Sequence, residues 1–235
     1  MVWELIAKTG LSSTIMKNSS ERASTGVRAG RPKSEEKRAA ILSAASDLFL
    51  ERGLKATSMD AVAARAEVSK QTVYSHFRNK DDLFRRCIQN KVASCGLAGD
   101  EAVDDPDLRT ALRNRARRFV ELVFDPEVVA MFRVVVGEAA AHPRISRLFY
   151  ESGPAATIAN LSAFLERQVE LGRLRIDDPI DAATQFMVLA KGELHMRLMM
   201  NLAPAVDAER LEQHVRRVVD QFLLLYGLPT EGTPG

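Results

Sequence analysis

The sequence predicts an all-α fold, a small three-helix helix-turn-helix unit followed by a larger C-terminal helical domain. Three observations carry that expectation. Apolar residues recur at spacings of three and four along most of the chain. Asp105-Pro106, Asp125-Pro126 and Asp178-Pro179 each put a capping carboxylate directly before a proline at a first helical position, and Gly153-Pro154 is a weaker form of the same signal. No segment carries a competing strand signal.

Composition bounds the class of protein. At 235 residues, 46% hydrophobic and 27% charged, the chain is long enough to bury a substantial core and is ordinary for a soluble globular protein. No uncharged apolar run approaches the roughly 20 residues of a membrane span. Glu4 and Lys8 interrupt the N-terminal stretch that would otherwise resemble a signal peptide, so a cytoplasmic location without a membrane partner is expected. Cys87 and Cys95 are the only cysteines. On one helix they lie about 12 Å apart along its axis, too far to bridge.

The net charge of +2 is unevenly spread. Residues 17–90 carry 15 Lys and Arg against 9 Asp and Glu, a balance of +6, and residues 91–235 carry 17 against 21, a balance of −4. The N-terminal third is therefore the candidate for a polyanionic partner, with a solvated surface as the alternative.

Residues 1–33 lack apolar periodicity and read as a flexible arm ending in the basic run "RAGRPK"; Met16 is an alternative start to Met1. Arg31 and Lys33 suit a DNA minor groove, and a solubilising tail is an equal reading of the same residues. The helix-turn-helix unit is expected over residues 34–79. Ser34 reads as the first N-cap, ahead of an apolar stripe of Ile41, Ala44, Ala45, Leu48 and Phe49, and Gly53 as the residue that ends the helix. Thr57 and Asp60 have the spacing of a capping box for a short second helix that buries Met59, Val62, Ala63 and Ala66.

After a turn at Glu67 and Val68, Ser69 is placed to cap a third helix. Val73 and Phe77, four apart, face inward with Val68, while Lys70, Gln71, Thr72, Tyr74, Ser75 and His76 stay outside. Three inward anchors are too few for a helix that serves core packing. A short helix displaying hydrogen-bonding side chains after a tight turn fits the DNA major groove. Gln71 suits a bidentate contact to adenine, Lys70 the acceptors of guanine, and the Thr72 methyl a thymine methyl. Tyr74 and His76 suit phosphate or sugar. The competing reading is a polar surface helix in an ordinary bundle.

The run Ile41 to Phe84, with "LF…RG…T", "VSKQTVYSHF" and "NKDDLF" at these spacings, resembles the DNA-binding domain of TetR-type transcriptional regulators. The resemblance implies that Thr72, Tyr74 and His76 contact DNA, that Lys80 contacts phosphate at the start of the fourth helix, and that Thr57 aims the second helix at the backbone. Glu67 departs from the glycine common in that turn; in a left-handed conformation it costs about 1 kcal/mol. The run Glu127 to Pro154 more weakly resembles one C-terminal subfamily of the same regulators, implying no particular ligand.

The domain over residues 80–227 is expected to hold helices at 80–97, 106–124, 126–141, 154–171, 178–202 and 207–226, a short one near Ile145 to Tyr150, and a tail at 228–235. Gly172 and Gly227 sit where C′ residues belong. The helix from Ile180 to Leu202 is apolar on two sides: Ile180, Ala183, Met187, Ala190 and Leu194 form one row and Phe186, Leu189 and Met196 another. The last helix carries Leu211, Val215, Val218, Phe222 and Leu225 at seam spacing. Together they predict a four-helix interface between two copies, and two-fold symmetry predicts a palindromic operator with half-sites about one DNA turn or slightly more apart.

The resemblance implies a small molecule held in the C-terminal core that releases DNA; we expect it to shift an existing equilibrium through the helix containing Arg85 and Lys91. Phe132, Val135, Phe149, Phe164, Met187, His195 and Met196 suit a pocket for apolar ligands, and each also suits plain core or dimer packing. His195 stands out as a titratable group on an apolar helix, where a hydrogen-bonded structural histidine is the plainer reading.

No cofactor, metal or catalytic group is expected. Asp100, Glu101, Asp104, Asp105 and Asp107 lack the glycine and terminal glutamate of a calcium loop, and His142, His195 and His214 lack metal-ligand spacing. No phosphate loop, dinucleotide fingerprint or nucleophile elbow occurs. Cys87 and Cys95 are candidates for a redox switch or for inert buried thiols. The expectation is a homodimeric, ligand-released repressor, and the alternative is an architectural DNA binder of weak sequence preference without an effector.

Overall fold

A computed structural model describes residues 31–97, 107–202 and 207–228, with the side chains of 31–33 left out. Residues 1–30 of the sequence-predicted arm at 1–33, the acidic residues Asp100, Glu101, Asp104 and Asp105 with Pro106, and residues 229–235 of the tail at 228–235 lie outside the described residues. Among the described residues there are ten helices: α1 (Arg31–Ala56), α2 (Met59–Arg65), α3 (Lys70–His76), α4 (Lys80–Ser94), α5 (Leu108–Phe124), α6 (Pro126–Glu138), α7 (Pro143–Ser152), α8 (Pro154–Glu170), α9 (Pro179–Met199) and α10 (Ala208–Tyr226). The only pairing of extended backbone among them is an isolated antiparallel bridge between Leu174 and Gly227. No helix of the described residues is long and apolar enough to cross a membrane.

Helix starts follow local carboxylates and hydroxyls. Asp125 and Asp178 cap α6 and α9 as expected, each accepting from two backbone N–H groups ahead of a proline. Asp107 rather than Asp105 caps α5, accepting from the N–H groups of Arg109 and Thr110. α1 begins at Arg31, so Ser34 lies inside the helix and residues 31–33 belong to it rather than to an arm. Gly53 interrupts that helix as expected, at φ 74° and ψ 170°, a conformation essentially confined to glycine. Gly172 takes the left-handed conformation of a C′ residue (φ 65°). Gly227 does not (φ −68°); its extended backbone instead joins the bridge to Leu174.

Two apolar cores result. The first surrounds Phe49, Phe77 and Phe84 from α1–α4 and takes in Met131, Val135, Ile145, Leu148 and Phe149 from α6 and α7. The helix-turn-helix unit is thus continuous with part of the C-terminal domain. The second gathers α5, α8, α9 and α10 around Leu112, Leu165, Phe186 and Phe222.

This second core corrects the expected dimer seam. Val215, Val218 and Phe222 are buried within their own chain, because α10 packs along α5 and α9. Leu225, Ile180 and Met196 are instead exposed, as are Val188 and Leu224. α9 is bent at Gly192 (φ 53°), and the carbonyl of Ala190, next to the bend, accepts a hydrogen bond from His214 Nε2 at 2.7 Å.

Candidate DNA interface and core cavity

Caps and one strained turn build the α2–α3 unit. Ser58, not Thr57, caps α2: its hydroxyl accepts from Ala61 N at 3.1 Å. Thr57 is buried, its hydroxyl donating toward the carbonyls of Leu48 and Gly53 at 3.1 and 2.8 Å, so its side chain is turned inward and fastens α2 to the end of α1. The sequence offered adjacent Thr and Ser, and the acid at Asp60 drew the capping box one residue early. Glu67 is left-handed (φ 53°), the geometry for which glycine is the easier residue. Ser69 caps α3 as expected, accepting from Thr72 N at 3.1 Å, and Val73 and Phe77 are buried beneath it.

On the outer face of α3, Gln71 and Tyr74 are exposed, Tyr74 by 47%. The Lys70 ammonium sits on Asp60 of α2 at 2.8 Å, and the hydrogen bond to that carboxylate raises its pKa. The Thr72 and Ser69 hydroxyls are 2.8 Å apart, and Ser75 donates to the Thr72 carbonyl at 2.7 Å. His76 is half-buried, its ring centroid 6.1 Å from that of Phe77. α3 therefore displays a short polar strip on a buried two-residue anchor.

Lys80 is placed differently from its expected phosphate contact. Its ammonium donates to the carbonyls of Lys55 and Thr57 at 2.9 and 2.8 Å, and burial lowers its pKa. It ties the start of α4 to the α1–α2 junction. Arg31 and Lys33 lie on the first turn of α1.

Behind this unit lies a cavity of about 300 Å3, lined by residues of α1, α4, α5, α6, α7, α8 and α9 and open on one side. Of the seven sequence-predicted pocket residues, Phe132, Phe149, Met187 and His195 line it. Three do not. Val135 is packed in the N-terminal core, Phe164 is buried in the second core with the Arg115 guanidinium 3.6 Å above its ring, and Met196 is exposed. Sequence reasoning missed Ser46 and Leu50 of α1, Lys91 of α4 and Lys191 of α9, all of which line the cavity. A signal for Lys191 existed: Thr184, Met187, Val188, Lys191 and His195 share one face of α9 by their spacing.

The polar groups of the cavity differ in their partners. Lys91 donates to Asp125 and to Glu127, each at 3.0 Å. Burial is the largest single influence on its pKa and lowers it, but the two carboxylates together outweigh burial and the net shift is upward. Lys191 has no ion pair or hydrogen-bonding carboxylate among the described residues, and burial lowers its pKa. Burial, and then the charge of Lys191, push His195 down to about 4, so its ring is neutral near pH 7. That ring stands between Phe124 and Phe132, at centroid distances of 6.4 and 6.0 Å. Cys87 also lines the cavity; burial pushes its thiol up to about 12, which leaves it protonated and unreactive. Among the described residues, no group of three His, Cys, Asp or Glu side chains could hold a metal ion.

Comparison with known proteins gives a consistent picture. Residues 41–87 match the family described as bacterial regulatory proteins, tetR family, and residues 110–228 match the AefR-like transcriptional repressor C-terminal domain. The HTH-type transcriptional activator FasR of Mycolicibacterium smegmatis is 36% identical over 118 residues, 49% of this chain and 52% of FasR. The chain thus spans about half of that relative, and only 26% and 34% of the uncharacterized regulators YdeS and YhgD of Bacillus subtilis. Among solved structures, the flavonoid-responsive regulator FrrA is 36% identical, with a TM-score of 0.67 over 83% of this chain and 100% of its own.

Proposed function

The chain belongs to the TetR family of bacterial transcriptional regulators, and on that premise we propose that it is a homodimeric repressor that binds a palindromic operator and is released by a small molecule. One observation carries the reading: the cavity that would take the effector is walled in part by α1 and α4, the helices that hold the helix-turn-helix unit in place. A molecule that fits the cavity in only one disposition of those helices shifts the population toward that disposition.

The DNA contacts proposed are Gln71 and Lys70 to base edges, the Thr72 methyl to thymine, and Tyr74, Ser75 and His76 to the backbone. Lys70 reaches a base only by leaving Asp60, and that exchange favours DNA at low salt. Arg31 and Lys33, at the start of α1, are proposed to reach the adjacent minor groove. The exposed apolar side chains Val188, Leu224 and Leu225 on α9 and α10 are the proposed contact between two copies. Repression is favoured over activation by the repressor-type domain matched at 110–228, although FasR is named an activator. FrrA's flavonoid response supports a small-molecule effector.

A DNase footprint on the DNA flanking this protein's own gene, at near-physiological salt with random competitor, tests the reading. Two symmetric protected half-sites overlapping a promoter, with transcription reduced in vitro, are expected. Equal affinity for random DNA would instead identify an architectural binder.

A further inference from the structure

We propose that the effector of this cavity is an organic monoanion with an apolar, aromatic body, its acidic group received by Lys191 beside His195. The inference rests on the cavity being the effector site. It begins with the contrast between the two lysines that line the cavity. Lys91 is fully engaged by Asp125 and Glu127. Lys191 is half-buried and meets no carboxylate among the described residues.

An ammonium withdrawn from water without a counter-charge raises the free energy of the empty protein. An entering anion offsets that cost, whereas a neutral ligand deepens it by displacing the remaining water, and a cation adds repulsion. The only carboxylate lining the cavity among the described residues is Glu127, and Lys91 already holds it. The Lys191 end is therefore the electropositive end.

The neighbouring group suits the same ligand. Being neutral near pH 7, His195 adds no charge and retains a nitrogen able to accept from a hydroxyl. His195 and Lys191 flank the bend at Gly192, both line the cavity, and the Lys191 charge is felt at the His195 ring, so both reach one end of a bound molecule. The remaining wall is apolar, with Phe119, Met131, Phe132 and Phe149 among its residues, which suits a flat hydrocarbon body.

Two fluorescent probes of nearly one shape separate charge from fit: 8-anilinonaphthalene-1-sulfonate and its uncharged parent N-phenyl-1-naphthylamine, titrated into the full chain. Lys191→Met should raise the Kd of the sulfonate about tenfold and leave that of the neutral probe unchanged or lower, while Lys191→Arg should retain the sulfonate. Thermal melts of both variants establish that they fold. Equal loss of the two probes in Lys191→Met, or no loss of the sulfonate, overturns the role of Lys191 and leaves the cavity standing as an effector site. Ile158→Trp, which sets an indole into the cavity wall, should weaken both probes. If it weakens neither, both the anion proposal and the cavity as effector site fall, while operator binding is judged separately by the footprint.

Discussion

Lys91 and Asp125 join the helix that carries the DNA-binding unit to the first turn of α6 through one shared carboxylate. Asp125 Oδ1 accepts from the backbone N–H groups of Glu127 and Val128 at 2.9 and 3.1 Å, and Oδ2 accepts from Lys91 Nζ at 3.0 Å. One side chain is both the cap of α6 and the tie to α4.

These two roles separate by substitution. Asp125→Ser keeps a capping oxygen and loses the charge pair, and should cost less than about 1 kcal/mol because the pair is part-exposed. Asp125→Ala loses both and should cost about 1–2 kcal/mol. Urea midpoints of the two variants check this, and equal losses would show that the cap contributes nothing.

Gly53 meets Glu138 closely enough that an added Cβ would run into the Glu138 carboxylate. Gly53→Ala should destabilise by about 2–3 kcal/mol, from the glycine-only backbone conformation and the displaced carboxylate together. In Gly53→Ala/Glu138→Ala only the steric part should be recovered. A double-mutant cycle in urea reads the coupling, and strict additivity would show that the two residues do not clash.

For DNA, Gln71→Ala should relax sequence preference by about 1–3 kcal/mol at one base position while leaving random DNA unaffected. Lys80→Met should lower the melting temperature, since two carbonyls lose their donor, and at a temperature where the variant is folded should leave operator and random DNA affinities nearly unchanged. Competition binding with operator and random duplexes distinguishes the variants. Intact discrimination in Gln71→Ala would remove that residue from base readout.

His195 makes stability depend on pH. Its folded value of about 4 lies below the ordinary 6.5, so between those values the unfolded chain binds a proton that the folded chain does not. The contribution is present above about pH 6.5 and is lost as pH falls toward 4. After allowance for the solvent-exposed part of the ring, the loss by pH 5 is about 1 kcal/mol. Denaturation at pH 7 and pH 5 should therefore show a smaller drop for His195→Gln than for the unchanged protein; identical drops would place the effect elsewhere.

The elements that sequence located are those specified within a few residues. Asp125-Pro126, Asp178-Pro179 and Ser69 fix helix starts because a cap and the N–H groups it satisfies lie within three residues of each other. Where two such signals compete, as Thr57 with Ser58 or Asp105 with Asp107, local pattern chose the wrong one. Burial of Thr57 against Leu48 decided the first case.

By itself, then, the sequence determined the all-α class, the order of the helices, the polar strip of α3 and the family resemblance, since periodicity and capping are short-range properties. Tertiary structure decided what each apolar stripe meets. Val215, Val218 and Phe222 carry the spacing of an intermolecular seam, yet α5 and α9 bury them within the chain. Lys91 and Lys191 read alike as lysines on helices, and only the placement of the first turn of α6 within reach of the Lys91 side chain gives one of them two carboxylates and leaves the other facing the cavity without one. A partner many residues away is chosen by how helices pack, and the period of a stripe does not encode which helix will cover it.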